Sequence, residues 1–176
     1  MHAPIALALA LVAGSDPSPA APTSPPAAPP AACAAPEHRA FDFWAGSWSV
    51  TAGGRQAGRN RIERVLSGCA LQEHWSGARG NLGTSLNWWD PGDRRWHQLW
   101  LDDQGMVLRL AGGTKGGAMV MEGELPGKDG KPQRQRITWT PLGGADAGKV
   151  RQLWEQSDDD GRTWSVAFDG LYAPVI

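Results

Sequence analysis

Residues 84–105 read TSLNWWDPGDRRWHQLWLDDQG. Two runs rich in Trp, Leu and Thr are separated by Asp90-Pro91-Gly92-Asp93, and the second ends at Asp102-Asp103-Gln104-Gly105. Such side chains fit a pleated, half-buried surface, whereas Asp, Pro and Gly supply turn geometry. The stretch therefore reads as strand, tight connection, strand, turn.

The same alternation extends outward in both directions. It predicts ten strands, at 46–52, 59–66, 69–76, 83–89, 95–102, 106–111, 118–125, 134–142, 149–157 and 163–172. Gly53-Gly54, Ser67-Gly68, Gly112 to Gly117, Gly127 to Gly130, Gly143-Gly144 and Asp158 to Gly161 punctuate them. Only 38–45 reads as a short helical turn, leading into the first strand. Short strands with tight connections and no long crossover predict an all-β antiparallel meander. A sheet that wide curls or closes, because open edges invite pairing with other chains. The predicted fold is an up-and-down β-barrel, with a β-sandwich as the alternative.

The chain has 176 residues and a formal net charge of −1. Residues 1–36 hold thirteen Ala, nine Pro and a single charged residue, Asp16, so they cannot build a core. Ile5 to Ala13 reads IALALALVA, the length of a signal-peptide apolar core and too short to span a bilayer. The opening MHAP lacks the Lys or Arg expected before such a core. The expected organisation is a signal peptide at 1–14, a Pro/Ala-rich disordered linker at 15–36 and a β-barrel domain at 37–176. The expected location is periplasmic or secreted. Two cysteines, Cys33 and Cys69, are an even count that in an exported chain favours a disulfide; in a cytosolic chain they would be free thiols. Near-zero charge argues against a nucleic-acid partner held through its phosphates. No later apolar run approaches the ~18 residues of a membrane span.

The wider pattern is FDFWAGSW at 41–48, GCALQEHW at 68–75, TSLNWWDP at 84–91, RWHQLWLDDQG at 95–105, VRQLWEQSDDDGRTW at 150–164 and FDGLY at 168–172. Together these segments resemble a lipocalin-like (calycin) family of exported bacterial proteins of unknown function. The resemblance covers about residue 37 to the end. It implies a barrel with a possible internal ligand and no particular reaction. It also implies that Gly46 and Trp48 form the Gly-x-Trp that enters the first strand, with Trp48 plugging the closed end. The two cysteines fit the same family pattern. Ser157, Asp159, Gly161, Thr163 and Trp164 match the Asp-box, S-x-D-x-G-x-T-W, which resembles turns of sialidases and other β proteins. Its local physics is side chains bonding turn amides around a Gly, with Trp at the hairpin base. A hairpin staple is the favoured reading over a glycosidase, because a domain of about 135 residues is too small for a propeller.

Residues two apart on a strand share a face. Glu73 and Trp75 then accompany Leu71; Ser85, Asn87 and Trp89 share a face; so do Trp96, Gln98 and Trp100. Val150, Gln152 and Trp154 form a further set, and Arg136, Thr138 and Thr140 another. A dry core disfavours Glu, Asn and Gln, and a solvent face disfavours Trp. The mixture predicts a lumen for a small, partly polar ligand. Its proposed lining is Glu73, Trp75, Ser85, Asn87, Trp89, Gln98, Trp100, Arg136, Gln152 and Trp154. The alternative is a filled barrel whose polar groups satisfy one another, with Glu73 paired to Arg136.

Other chemistries find less support. Calycin-like barrels that carry haem place a His inside, but His74 and His97 alternate with the lumen set and should face outward; no cofactor is expected, haem included. No paired Cys or His spacing suggests a metal site. Glu73 could serve as a general acid, yet no second carboxylate shares its face. The expected activity is non-catalytic binding of a small-molecule ligand, with an enzyme on the same cavity or a structural envelope protein as rivals.

Overall fold

Gly53 and Gly54 both take positive φ, 55° and 74°, so the first hairpin reverses in two residues and pairs Ala52 with Arg55. Such a turn matches the right-handed twist of its flanking strands. It lengthens the second strand relative to the sequence reading. The computed structural model describes residues 33–127 and 130–175. The expected signal peptide and most of the expected linker lie outside the described residues.

Ten antiparallel strands follow in chain order. They are β1 (Gly46–Ala52), β2 (Arg55–Val65), β3 (Ala70–Gly77), β4 (Leu82–Asp90), β5 (Arg95–Asp102), β6 (Val107–Lys115), β7 (Ala118–Pro126), β8 (Pro132–Pro141), β9 (Val150–Ser157) and β10 (Ser165–Pro174). Each pairs with its chain neighbour, and β1 closes the ring on β10, from Trp48 opposite Pro174 to Ala52 opposite Gly170. The fold is a closed barrel of calycin, or lipocalin-like, type. Closure leaves no open edge.

Two more of the strand ends that differ from the sequence reading have a clear local reason. β6 runs on through Gly112 and Gly113, which had read as turn. A Cβ at Gly112 would collide with the Val120 carbonyl on β7, so glycine there serves close strand approach. β10 begins at Ser165, because Asp159 holds the Thr163 amide at 2.8 Å and the Thr163 hydroxyl at 2.6 Å within the preceding turn. Ser157 Oγ accepts from the Gly161 amide at 2.8 Å, and Trp164 Nε1 donates to the Gly161 carbonyl at 3.0 Å.

One end of the barrel is packed shut. A single helical turn, α1 (Pro36–Arg39), and a 3₁₀ turn at Asp42–Trp44 precede β1. They insert Phe41 and Trp44, both fully buried, against Trp96, Trp139 and Tyr172. Trp48 completes the plug and donates Nε1 to the Trp44 carbonyl at 3.0 Å. The plug is thus shared between Phe41, Trp44 and Trp48 rather than held by Trp48 alone. Trp96 Nε1 donates to the Glu37 carbonyl at 3.0 Å, tying β5 to α1. The Cys33–Cys69 disulfide joins this cap to the β2–β3 connection. Arg39 reinforces it by donating to the carbonyls of Cys33 and Gly68.

Candidate functional site

The other end of the barrel is open. A cavity of about 740 Å³ runs inward from the β1–β2, β3–β4 and β5–β6 connections, within the size range of small-molecule sites. Its walls are aromatic and aliphatic: Trp75, Trp100, Trp154, Phe168, Leu108 and Ile137. Deeper polar contributions come from Glu73, Gln98, Gln152 and Tyr172, while Arg55, Arg79 and Asp102 stand at the mouth.

Three of the wall aromatics are seated over glycines. A Cβ at Gly58 would strike the Trp75 ring, one at Gly83 the Trp100 ring, and one at Gly170 the Phe168 ring. The missing side chains let these rings occupy the space over the glycines, which preserves space in the lumen. Trp75 also meets Phe168 edge-on, with centroids 6.4 Å apart, a favourable aromatic geometry.

Below the walls lies a belt of buried polar groups. Glu73 is only 4% exposed. Its Oε1 accepts from Asn60 Nδ2 at 2.6 Å and its Oε2 from Ser85 Oγ at 2.6 Å. Ser85 Oγ accepts from Asn87 Nδ2 at 2.9 Å, and Asn87 Oδ1 accepts from Gln98 Nε2 at 2.8 Å. Across the barrel Tyr172 donates its hydroxyl to Gln152 Oε1, and Trp154 Nε1 donates to Gln135 Oε1 at 2.8 Å. Burial pushes the Glu73 carboxyl up to about 7, against the opposing hydrogen bonds from Ser85 and Asn60. Burial also raises the Tyr172 phenol well above its usual value, with the Glu73 charge adding to the effect.

Of the ten residues assigned to the lumen from sequence, six border the cavity: Glu73, Trp75, Gln98, Trp100, Gln152 and Trp154. Ser85 and Asn87 are buried and brace Glu73 and Gln98 through the belt. Trp89 points inward but sits opposite Trp96, at the plugged end away from the cavity. Arg136 is a correction. It lies outside the barrel, where Nε and Nη2 donate to Glu155 Oε2 at 3.0 and 2.9 Å and the guanidinium covers the Trp164 ring at 4.0 Å. The inward set of β8 is Gln135, Ile137 and Trp139, so the Glu73–Arg136 pair of the filled-barrel alternative does not form.

Sequence reading missed Asn60, Phe168 and Tyr172. Asn60 shares its face with Gly58 and Ile62, a parity already legible within the predicted strand 59–66. Phe168 and Tyr172 follow a register shift between Val166 and Phe168, which breaks simple alternation.

His74 and His97 lie on the outer face. His74 sits beside Glu63, and His97 stacks on Trp88 with centroids 5.3 Å apart. Ligand atoms of Asp90, Asp93 and His97 lie within 4.8 Å of one another. Both carboxylates already serve the β4–β5 turn: Asp90 accepts from the Gly92 amide at 2.7 Å, and Asp93 accepts from the Arg95 amide at 3.1 Å.

Neither a scan against protein-family models nor a search of curated proteins returns a match for the chain. The functional reading therefore rests on the cavity itself.

Proposed function

We propose that the protein binds a small, partly polar hydrophobic molecule non-covalently inside the barrel. The carrying observation is the cavity of about 740 Å³, with aromatic walls above a hydrogen-bonded polar floor. Apolar walls supply affinity through burial, and a few fixed polar groups orient the ligand. Trp75, Trp100 and Trp154 enclose the apolar part; Glu73, Gln98 and Gln152 meet the polar end. We further propose that the protein works outside the cytoplasm, in the cell envelope or secreted. The Cys33–Cys69 disulfide supports this, since such bonds persist in oxidising compartments.

Tryptophan emission is the direct test, because three indoles line the cavity. Titration with a panel of small apolar and amphiphilic molecules should shift or quench emission in a saturable way. Mass spectrometry of the protein under non-denaturing conditions should reveal any co-purifying ligand. A panel that leaves emission unchanged, together with a bare mass, would overturn the reading.

A second reading is catalysis on the same ligand. It is favoured by one observation, the Glu73 carboxyl poised at about 7 beside the cavity, the range suited to a general acid or base. Glu73→Gln separates the two: turnover lost with ligand affinity retained would identify an enzyme.

A further inference from the structure

We propose that the cavity selects ligands carrying a protonated amine, with the Glu73 carboxylate as counter-ion and the Trp75 and Trp100 rings around the cationic end. The proposal rests on the reading of the cavity as a ligand site and deepens it to a chemical class.

The floor of the cavity is rich in acceptors and short of cations. Glu73 borders the cavity, and no ion pair among the described residues includes it. Each of its oxygens accepts one hydrogen bond, leaving acceptor capacity on both. Beside it the buried Asn60 Oδ1 has no donor among the described residues. Three nearby donors are committed elsewhere, Tyr172 to Gln152, Gln98 Nε2 to Asn87 and Trp154 to Gln135, while Gln152 Nε2 donates to no acceptor among the described residues.

The groups facing Glu73 from the packed elements are Asn60 and Ile62 of β2, Ser85 and Asn87 of β4, Gln98 and Trp100 of β5 and Tyr172 of β10. None is cationic, and Tyr172 is the one titratable member. The charges of Arg55, Arg79 and Asp102 stand at the mouth, where Arg55 and Arg79 are exposed and screened by water and salt.

A buried carboxylate without a cation is costly, and an ammonium supplied by the ligand removes that cost. Trp75 adjoins Glu73 on the inner face of β3, and Trp100 lies directly across from Ser85. Their ring faces attract a cation. An ammonium also brings up to three donors for the free acceptor positions of Glu73 and Asn60. A carboxylate ligand would meet Glu73 as a like charge.

Three probes of one skeleton test this: octylammonium, octanol and octanoate, titrated by calorimetry and Trp emission. Octylammonium should bind at least about tenfold more tightly than octanol at pH 8, and octanoate most weakly. Below pH 7 its affinity should fall about tenfold per pH unit as Glu73 takes up its proton. At pH 6 binding should release about one proton, read from the dependence of the heat on buffer ionisation. Glu73→Gln should lose both the preference for octylammonium over octanol and the pH dependence of octylammonium binding. Equal binding of all three by the wild-type protein, or a pH-independent ammonium affinity, overturns the amine assignment and leaves the cavity reading standing. Binding of none of the three overturns the assignment, and the wider ligand panel then decides the cavity reading separately. The wild-type series and its pH profile decide the matter even where the variant does not fold.

Discussion

Ser85 Oγ donates to Glu73 Oε2 at 2.6 Å from the strand beside it. The same hydroxyl oxygen accepts from Asn87, which in turn accepts from Gln98. One serine thus links the buried carboxyl on β3 to amides on β4 and β5, so the three strands share a single polar network inside the barrel.

Burial outweighs these bonds at Glu73, and stability should depend on pH accordingly. The folded chain holds the Glu73 proton up to about 7, against an ordinary 4.5. Between those values the folded state binds more protons than the unfolded state, so stability falls as pH rises. The contribution of this group should decline by about 3 kcal/mol between pH 4 and pH 8 in the ligand-free protein. Glu73→Gln should remove that decline and make the variant the more stable form at pH 8. Urea unfolding of both proteins at several pH values reads the difference; parallel profiles would refute the placement of the charge.

The disulfide should stabilise by constraining the unfolded chain. Cys33 and Cys69 are 36 positions apart, and loop closure of that length corresponds to about 3–4 kcal/mol. Replacing both by Ser should lower the urea midpoint accordingly. The cap that carries Phe41 and Trp44 should loosen with it, shifting Trp emission to the red before the barrel itself unfolds. A variant with an unchanged midpoint would show that Arg39 and the aromatic plug hold the cap unaided.

The two ends of the barrel should respond oppositely to the loss of an indole. Trp44 is fully buried among Phe41, Trp139 and Tyr172, so Trp44→Ala should cost about 3–5 kcal/mol through the void it leaves. Trp75 borders an existing cavity, so Trp75→Ala should cost less than about 2 kcal/mol. The second variant should instead weaken ligand binding about tenfold or more. Equal destabilisation by both would mean that the open end is packed as tightly as the plug.

Much of this division was legible in strand parity. Gln98 and Trp100, and Gln152 and Trp154, each stand two apart in a repeated Gln-Leu-Trp, and both pairs meet in the cavity. Turn residues marked the ten strands, since glycine and aspartate report local backbone geometry that does not depend on tertiary contacts. On β8 the apolar alternation of Ile137 and Trp139 already favoured the face of Gln135, and the reading of Arg136, Thr138 and Thr140 as lining passed over it. Burial of Ile137 and Trp139 turns Gln135 inward, and Glu155 and Trp164 receive the Arg136 guanidinium outside. Parity could not locate Trp89 along the barrel axis, because depth is set by the stagger of the strands. Phe168 was hidden by a bulge, which resets the alternation from which inward residues are read.

Glycine at 83 should be a determinant of cavity volume. It lies on β4 under the Trp100 ring, at a backbone angle that any residue can adopt, and a Cβ there would overlap the ring but no backbone atom. Gly83→Ala should therefore fold, and Trp100 should move off the wall into the lumen. The expected result is a loss of about tenfold or more in affinity for octanol and octylammonium alike, because the cavity narrows above Glu73 without a change in its charge. Gly113→Ala is the control: it has open space at Cβ on β6 and should bind as the wild type does. Unchanged affinity in Gly83→Ala would show that Trp100 yields in another direction and that the ring does not bound the ligand. Equal losses in both variants would place the effect in strand rigidity and not in the space above Glu73.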